Sequence, residues 1–420
     1  MILIKMRKRH RAYLKILRNK AERERKRMEE KQACTPDKVF CYGNIIRSAK
    51  KCTKGVSWKA SVQAYHLRAI SKTYTDYRLL KDGKVPRCMT RKEIAITERG
   101  KIRVITPIHI KDRVIQKTIC DNALVPVLRK KLIYDNGASL KGKGVSFSRR
   151  RLENHLKKAV RKFGQDFYIL TYDIKNFFGS IPHKQCRKAL ERYFLAELAN
   201  IAMEIIKNPV REKIRQIKDS GEMEKQLREL EEDKIKGICL GSQESQIMAL
   251  AVPNCIDHYI KDRRRMKFYI RYMDDGVLIA KTKEELKKIF AELKAIMESL
   301  GMKFNERKTR ITKAKKGFTF LKVKYHISKT GKIIRRLTPK GTARMRRKLK
   351  KFRRKVDAGE MTLTNVYESM QSWMSHSKVA NSHKTVRNML RLYRDLFGDL
   401  RIPPREARTM EGQHGIQAGY

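Results

Sequence analysis

The sequence predicts an α+β fold, in which an antiparallel sheet is flanked by helices. A short apolar run of β-favouring residues ends at Asp173, which predicts a strand. Two further runs of this kind flank the adjacent pair Asp274 and Asp275, which predicts a hairpin with the acids at its turn. Apolar residues then recur at helical spacing from Leu286 to Leu300. Charge-rich helical segments precede, separate and follow these elements, an order that is typical of an α+β protein.

The N-terminal part is expected to be mainly helical. Residues 1–33 are helix-forming and so charged that almost nothing apolar repeats from Arg18 to Lys31. Such a helix cannot pack against a core by itself, so it is either solvated or an arm that contacts a polyanion such as RNA. Residues 44–97 have a mixed pattern that we interpret as helical. Residues 98–107 predict a hairpin that turns at Arg99 and Gly100.

The elements beyond the first acidic strand follow clearer patterns. Residues 184–236 are predicted to be helical and rich in charge. The helix that follows the hairpin should end before Gly301, which suits the position after a helix. Residues 317–327 alternate like the start of a strand pair. Thr338 and Pro339 provide an N-cap and a first residue for another helix, which carries nine basic residues between Arg344 and Lys355.

Composition limits the classes of function. The chain has 420 residues, enough for two or three domains, and its 101 Lys and Arg residues against 43 acidic ones give a net charge of +58. So large an excess requires a polyanion partner, because a compact protein would otherwise repel itself. A ribosomal-type RNA binder and a binder of anionic membranes are alternatives. The membrane alternative is disfavoured, since no apolar run approaches the ~20 residues of a span.

The pattern of cysteines indicates the cellular compartment. The eight cysteines include no C-x-x-C pair, which argues against a zinc ribbon or a disulfide framework. We therefore expect reduced thiols and a cytoplasmic location.

The three acids at strand ends predict a metal site. Hard divalent cations prefer oxygen ligands, and Asp173, Asp274 and Asp275 would surround such ions. Asp173 and Asp274 should bridge two metals with Asp275 close by, while Ile174 could offer only its backbone carbonyl. Two metals of this kind are what nucleotidyl transfer requires, because one activates the attacking 3′-hydroxyl and the other neutralises the leaving pyrophosphate.

The Y-M-D-D string at residues 272–275, preceded by an acid-bearing strand, resembles the palm of reverse transcriptases. Blocks in the family's order run from about Lys101 to about His383. The resemblance implies a right-hand polymerase fold with a basic helical extension (residues 1–60), fingers (61–166), palm (167–330, with a helical insertion at about 184–236), helical thumb (331–398) and tail (399–420). It also implies two Mg²⁺ ions (Mn²⁺ being an alternative), a template RNA, an RNA/cDNA duplex and dNTPs, and it allows a small basic accessory protein.

The same resemblance assigns roles around the acids. Phe178, five residues beyond Asp173, occupies the place of the aromatic gate that excludes a ribose 2′-hydroxyl. The alternative is that Phe177 and Phe178 are both hydrophobic core, although one ring can be core while the other lines the site. Arg103, and with it Lys101, should bind the incoming triphosphate on the predicted hairpin. Lys308 could donate a proton to the leaving pyrophosphate, although a surface phosphate contact is an equal alternative.

A second sequence string indicates which subgroup of reverse transcriptases the chain resembles. Most bacterial reverse transcriptases show Q-G-x-x-x-S-P, whereas this chain has L-G-x-x-x-S-Q from Leu240 and Gly241 to Gln246. That departure resembles the reverse transcriptases of diversity-generating retroelements. Because Leu240 replaces an amide that elsewhere holds the nucleotide's sugar, we expect looser pairing and lower fidelity, with all three residues in the substrate site. For Leu240 the alternative is drift at a tolerant position. For the protein the alternatives are a group II-like, retron or phage-defence reverse transcriptase, an enzyme of untemplated DNA synthesis, or an RNA-binding maturase with a vestigial polymerase site.

Overall fold

A computed structural model describes residues 2–90, 93–98 and 101–399 of the chain. The chain forms two compact units, each assembled from three separate segments. Unit 1 contains Met1–Ser148, Tyr172–Gly276 and Lys288–Lys308, and unit 2 contains Arg149–Thr171, Val277–Lys287 and Thr309–Tyr420. The predicted finger, palm and thumb boundaries are contiguous in sequence, and they stay a prediction.

Helices make up most of the described chain. They are α1 Ile2–Gln32, α2 Pro36–Val39, α3 Tyr42–Thr53, α4 Ala60–Leu67, α5 Ala69–Lys81, α6 Ile110–Ile119, α7 Val125–Lys131, α8 Val145–Phe163, α9 Phe177–Ser180, α10 His183–Tyr193, α11 Ala196–Ile214, α12 Ser220–Glu231, α13 Gln243–Ala251, α14 Asn254–His258, α15 Lys283–Ser299, α16 Pro339–Asp357, α17 Leu363–Ser377 and α18 His383–Phe397. Short π-helical turns at Cys120–Leu124 and Tyr259–Arg263 continue α6 and α14, and a 3₁₀ turn spans Ala314–Lys316.

The strands form three sheets among the described residues. They are β1 Ile94–Glu98, β2 Lys101–Ile105, β3 Tyr168–Asp173, β4 Tyr269–Tyr272, β5 Asp275–Ala280, β6 Arg310–Lys313, β7 Phe318–Phe320, β8 Val323–Ile327 and β9 Ile333–Leu337. Strands β1 and β2 form an antiparallel hairpin, and β7, β8 and β9 form a second antiparallel sheet. The remaining sheet has the order β4-β5-β3-β6, with β3 antiparallel to β6. Mixed helices and antiparallel strands confirm the predicted α+β class.

Several individual elements match the sequence pattern. The N-terminal segment is one helix, and α10 to α12 occupy most of the predicted helical stretch 184–236. Helix α15 buries Leu286, Ile289, Leu293 and Met297 from its periodic apolar face, and Gly301 follows the helix with φ +77°, so it ends as predicted. Thr338 and Pro339 begin α16, although the Thr338 side chain makes no capping hydrogen bond. The predicted turn at Arg99 and Gly100 lies outside the described residues.

The C-terminal helices of unit 2 have a core of their own. Helices α16, α17 and α18 bury one apolar cluster, formed by Met345, Leu349, Val366, Met370, Met389 and Tyr393. The apolar residues of α16 face this cluster, whereas basic residues line an open groove of about 480 Å³ along the same helix. The segment with the highest density of basic residues is therefore a packed helix with one cationic side.

Candidate active site

Strand β3 and the β4-β5 hairpin bring the three predicted acids together. Asp173 is the last residue of β3, Asp274 lies in the two-residue turn between β4 and β5, and Asp275 begins β5. One carboxylate oxygen from each lies within 4.8 Å of the other two. Asp173 is buried, and the other two are half-buried. Residues about a hundred positions apart in sequence therefore form one cluster, as the strand-end pattern predicts.

The hairpin turn has an unusual backbone. Met273 has φ +54°, in the left-handed region that a residue with a side chain adopts at some energetic cost. The Ile174 backbone N–H donates a hydrogen bond of 3.1 Å to the carbonyl of Asp274. The residue after the first acid is thereby tied to the turn that carries the other two. Whether the Ile174 carbonyl is a metal ligand stays a prediction.

The cluster crowds negative charge into a partly dry site. Burial raises the pKa of the Asp275 carboxyl to about 7, and the charges of Asp274 and Asp173 act in the same direction. Burial also raises the pKa of Asp274, while the cations Lys308 and Arg103 oppose this shift. Carboxylates that repel one another are stabilised by a shared cation, and an all-oxygen donor set suits Mg²⁺ or Mn²⁺. The residues present therefore fit a divalent metal.

Lys308 lies at the acids. Its ammonium is 2.5 Å from a carboxylate oxygen of Asp173, and its side chain is half exposed. The backbone supports this position, since the N–H of Asn305 donates to the carbonyl of Asp173 at 2.7 Å and the N–H of Lys308 donates to Asn305. A long, half-exposed cation in this place can neutralise the acids or reach a neighbouring phosphate.

The predicted triphosphate and gate residues also belong to unit 1. Arg103 is an exposed residue of β2, close enough to lower the pKa of Asp274. Lys101 begins β2, and its side chain lies outside the described part of the structure. Phe177 is buried and Phe178 half-buried, with their rings 5.5 Å apart. Phe177 therefore lies in the core, whereas the gate role of Phe178 stays a prediction.

The L-G-x-x-x-S-Q string begins next to the β1-β2 hairpin. The carbonyl of Leu240 accepts a hydrogen bond of 3.3 Å from the backbone N–H of Thr106, just beyond β2. Gly241 has φ +128°, and a Cβ there would lie 3.0 Å from the Thr106 carbonyl oxygen, so this position requires glycine. The Gln246 side chain accepts a hydrogen bond of 3.0 Å from the hydroxyl of Ser139.

Sequence reasoning missed two features of this region. The first is Ser139, whose hydroxyl contacts Gln246 across 107 positions of sequence, so no local signal could reveal it. The second is Arg271, which is fully buried in β4 beside the acids. A signal for Arg271 was present, because a charged residue inside an apolar β-run requires a partner.

The comparisons with known proteins agree with this site. Residues 90–325 match the family described as reverse transcriptase (RNA-dependent DNA polymerase), a span that includes all three acids. The chain therefore belongs to the reverse transcriptase family, which confirms the family resemblance that the sequence motifs indicate. No curated protein matches the sequence.

Two solved structures of telomerase resemble the chain. One is telomerase from Candida albicans with a fragment of telomeric RNA, at 14% identity and a TM-score of 0.41, covering 80% of this chain and 66% of that one. The other is apo telomerase from Candida tropicalis, at 12% identity and a TM-score of 0.40, covering 75% and 64%. The chain thus spans a little under two thirds of their length.

Within the described residues, no helix has the length and apolar character of a membrane span.

Proposed function

We propose that the chain is an RNA-directed DNA polymerase that copies a template RNA into cDNA with two Mg²⁺ ions at the acidic cluster. The observation that carries this proposal is the cluster itself, in which three carboxylates lie within 4.8 Å at the end of one strand and the turn of a hairpin. An RNA-binding protein has no use for three mutually repelling acids in a partly buried site. The net charge of +58 supports a polyanion as the partner.

Each neighbouring residue has a role in this reaction. Asp173, Asp274 and Asp275 would hold the metals, which supply charge stabilisation at the attacking and leaving oxygens. Arg103 orients the triphosphate of the incoming dNTP, and Lys308 reaches the leaving pyrophosphate and can give it a proton. Phe178 presents a ring where a ribose 2′-hydroxyl would clash.

Primer extension on an RNA template tests the assignment. Asp274→Asn keeps the shape of the turn and removes one negative ligand, so dNTP incorporation should fall by at least about a thousandfold. Affinity for the RNA should stay within twofold of wild type. Asp395→Asn, at an exposed position of α18, is the matched control and should be fully active. Synthesis by Asp274→Asn at a near wild-type rate would exclude the metal-binding role.

We further propose that the enzyme is error-prone, as in a diversity-generating retroelement. Leu240 cannot hydrogen-bond a sugar, and a site without a polar contact rejects wrong partners less strongly than one that has it. Leu240→Gln should therefore change the misincorporation spectrum more than the rate, most visibly opposite template adenine, where the resemblance places the errors. Sequencing cDNA made by both enzymes on one RNA measures this. If wild type copies adenine as accurately as the other bases, the enzyme belongs to another reverse transcriptase class.

A further inference from the structure

A fully buried ion pair lies beneath the catalytic hairpin. Arg271 and Asp257 both have 0% exposure, and the guanidinium donates to both carboxylate oxygens at 2.7–3.0 Å. The same guanidinium donates to two backbone carbonyls, Leu250 at 2.9 Å and Met273 at 3.1 Å. Such a pair is costly to desolvate and gives little net stability by itself, so its presence calls for another role.

Two tyrosines extend this pair toward β3. The Tyr269 hydroxyl donates to Asp257 at 2.6 Å, and the hydroxyls of Tyr269 and Tyr172 are 2.7 Å apart. Because Tyr269 has only one hydroxyl proton and gives it to Asp257, Tyr172 must be the donor to Tyr269. The Asp257 carboxylate therefore accepts hydrogen bonds from Arg271 and from Tyr269, and Tyr172 donates in turn to Tyr269.

The network reaches a neighbour of each of the three acids. Tyr172 immediately precedes Asp173 in β3. Met273 immediately precedes Asp274 and has a left-handed backbone, and its carbonyl accepts a hydrogen bond from Arg271. Gly276 immediately follows Asp275, and the Tyr172 ring lies so close that a Cβ at Gly276 would be 2.1 Å from its Cζ.

We propose that the buried network of Tyr172, Tyr269, Asp257 and Arg271 positions the three catalytic acids relative to one another. None of the four reaches the reacting atoms, so they are positioning residues. The physical reason is that carboxylates that repel one another would otherwise move apart, and a fully satisfied network of buried hydrogen bonds has one low-energy arrangement. This proposal rests on the proposed polymerase function.

Removing single hydroxyl groups tests the network with little risk to folding. Tyr172→Phe deletes one hydrogen bond, and Tyr269→Phe deletes two. We expect kcat for dNTP incorporation to fall about fivefold in the first variant and more in the second, with KM for dNTP within twofold of wild type. Mn²⁺ affinity, measured by electron paramagnetic resonance on protein without nucleic acid, should fall in the same order. Affinity for RNA should not change.

A matched control exists in the same unit. The Tyr65 hydroxyl is buried and has no hydrogen-bond partner among the described residues, so Tyr65→Phe should alter neither kcat nor Mn²⁺ binding. The doubly substituted Tyr172→Phe, Tyr269→Phe protein should be no worse than Tyr269→Phe alone, because both changes break the same hydrogen bond.

Two outcomes would overturn the proposal. One is that both variants match Tyr65→Phe in kcat and in Mn²⁺ affinity. The other is that their effects multiply in the double variant. Failure of the polymerase assignment looks different, because wild type would then bind Mn²⁺ at the acids and incorporate no dNTP, and the Mn²⁺ measurement would still test the positioning role.

Discussion

Gly276→Ala should disable the enzyme through a single methyl group. Gly276 follows Asp275, and the added Cβ would lie 2.1 Å from Cζ and 2.4 Å from the hydroxyl oxygen of Tyr172. Carbon atoms need ~3.5 Å, so the ring and the β5 backbone must separate by more than about 1 Å. The ring is held by its hydroxyl and lies edge-on against Phe304 at 5.0 Å, so we expect much of the shift to occur in the strand that carries Asp275.

The expected effects follow from this displacement. Overpacking of this kind costs about 1–3 kcal/mol in the free energy of unfolding. A 1 Å error at catalytic groups lowers the rate by about a hundredfold. Single-turnover primer extension and thermal denaturation measure both quantities. Gly43→Ala is the control, because this position in α3 has no atom within 4 Å of the added Cβ and a helix favours alanine.

One result would refute the steric reasoning. The reasoning is wrong if Gly276→Ala extends primers as fast as wild type and Gly43→Ala do. The β4-β5 hairpin and the Tyr172 ring would then be able to move apart without displacing the acids. A stable but slow Gly276→Ala protein would support it.

Three further predictions follow from other regions. Burial raises the pKa of the Glu244 carboxyl to about 7, so the folded protein holds this proton more tightly than the unfolded chain does. Wild type should therefore lose about 3 kcal/mol of stability relative to Glu244→Gln as pH rises from about 4.5 to 7. Melting curves measured across this pH range would show the loss. RNA affinity should fall with salt by about 0.7–0.9 log units per log unit for each phosphate contacted, and titrations that show no slope would contradict the electrostatic account. Ser139→Ala and Gln246→Ala remove the same hydrogen bond, so cDNA sequencing should give one shared error spectrum, with no further change in the double variant.

The acids could be predicted from sequence because their signal is local. Each follows or lies between short apolar β-runs, and strand ends and tight hairpins are decided by a few adjacent residues. The periodic apolar residues of α15 and the glycine that ends it are local in the same sense. These patterns determine the secondary structure of each segment, and the order of the family's sequence blocks then indicates which segments lie together.

The support beneath the acids could not be predicted in the same way. Arg271 in an apolar run shows that some partner exists, but the partner, Asp257, lies 14 positions earlier near the end of a helix. The Ser139 contact of Gln246 spans 107 positions. The compact units are likewise defined by long-range contacts, since each combines three separate segments. Tertiary packing decides all of these features, and one sequence carries no direct record of it.

The most direct test of the account is primer extension by wild type on a primed RNA of mixed sequence, with dNTPs and Mg²⁺, followed by sequencing of the product. We expect DNA complementary to the RNA, synthesis that stops when Mg²⁺ is chelated, and no product from Asp274→Asn. Product unrelated to the template would indicate untemplated synthesis. Tight RNA binding by wild type without any DNA product would contradict the central claim that the three acids form a working polymerase site.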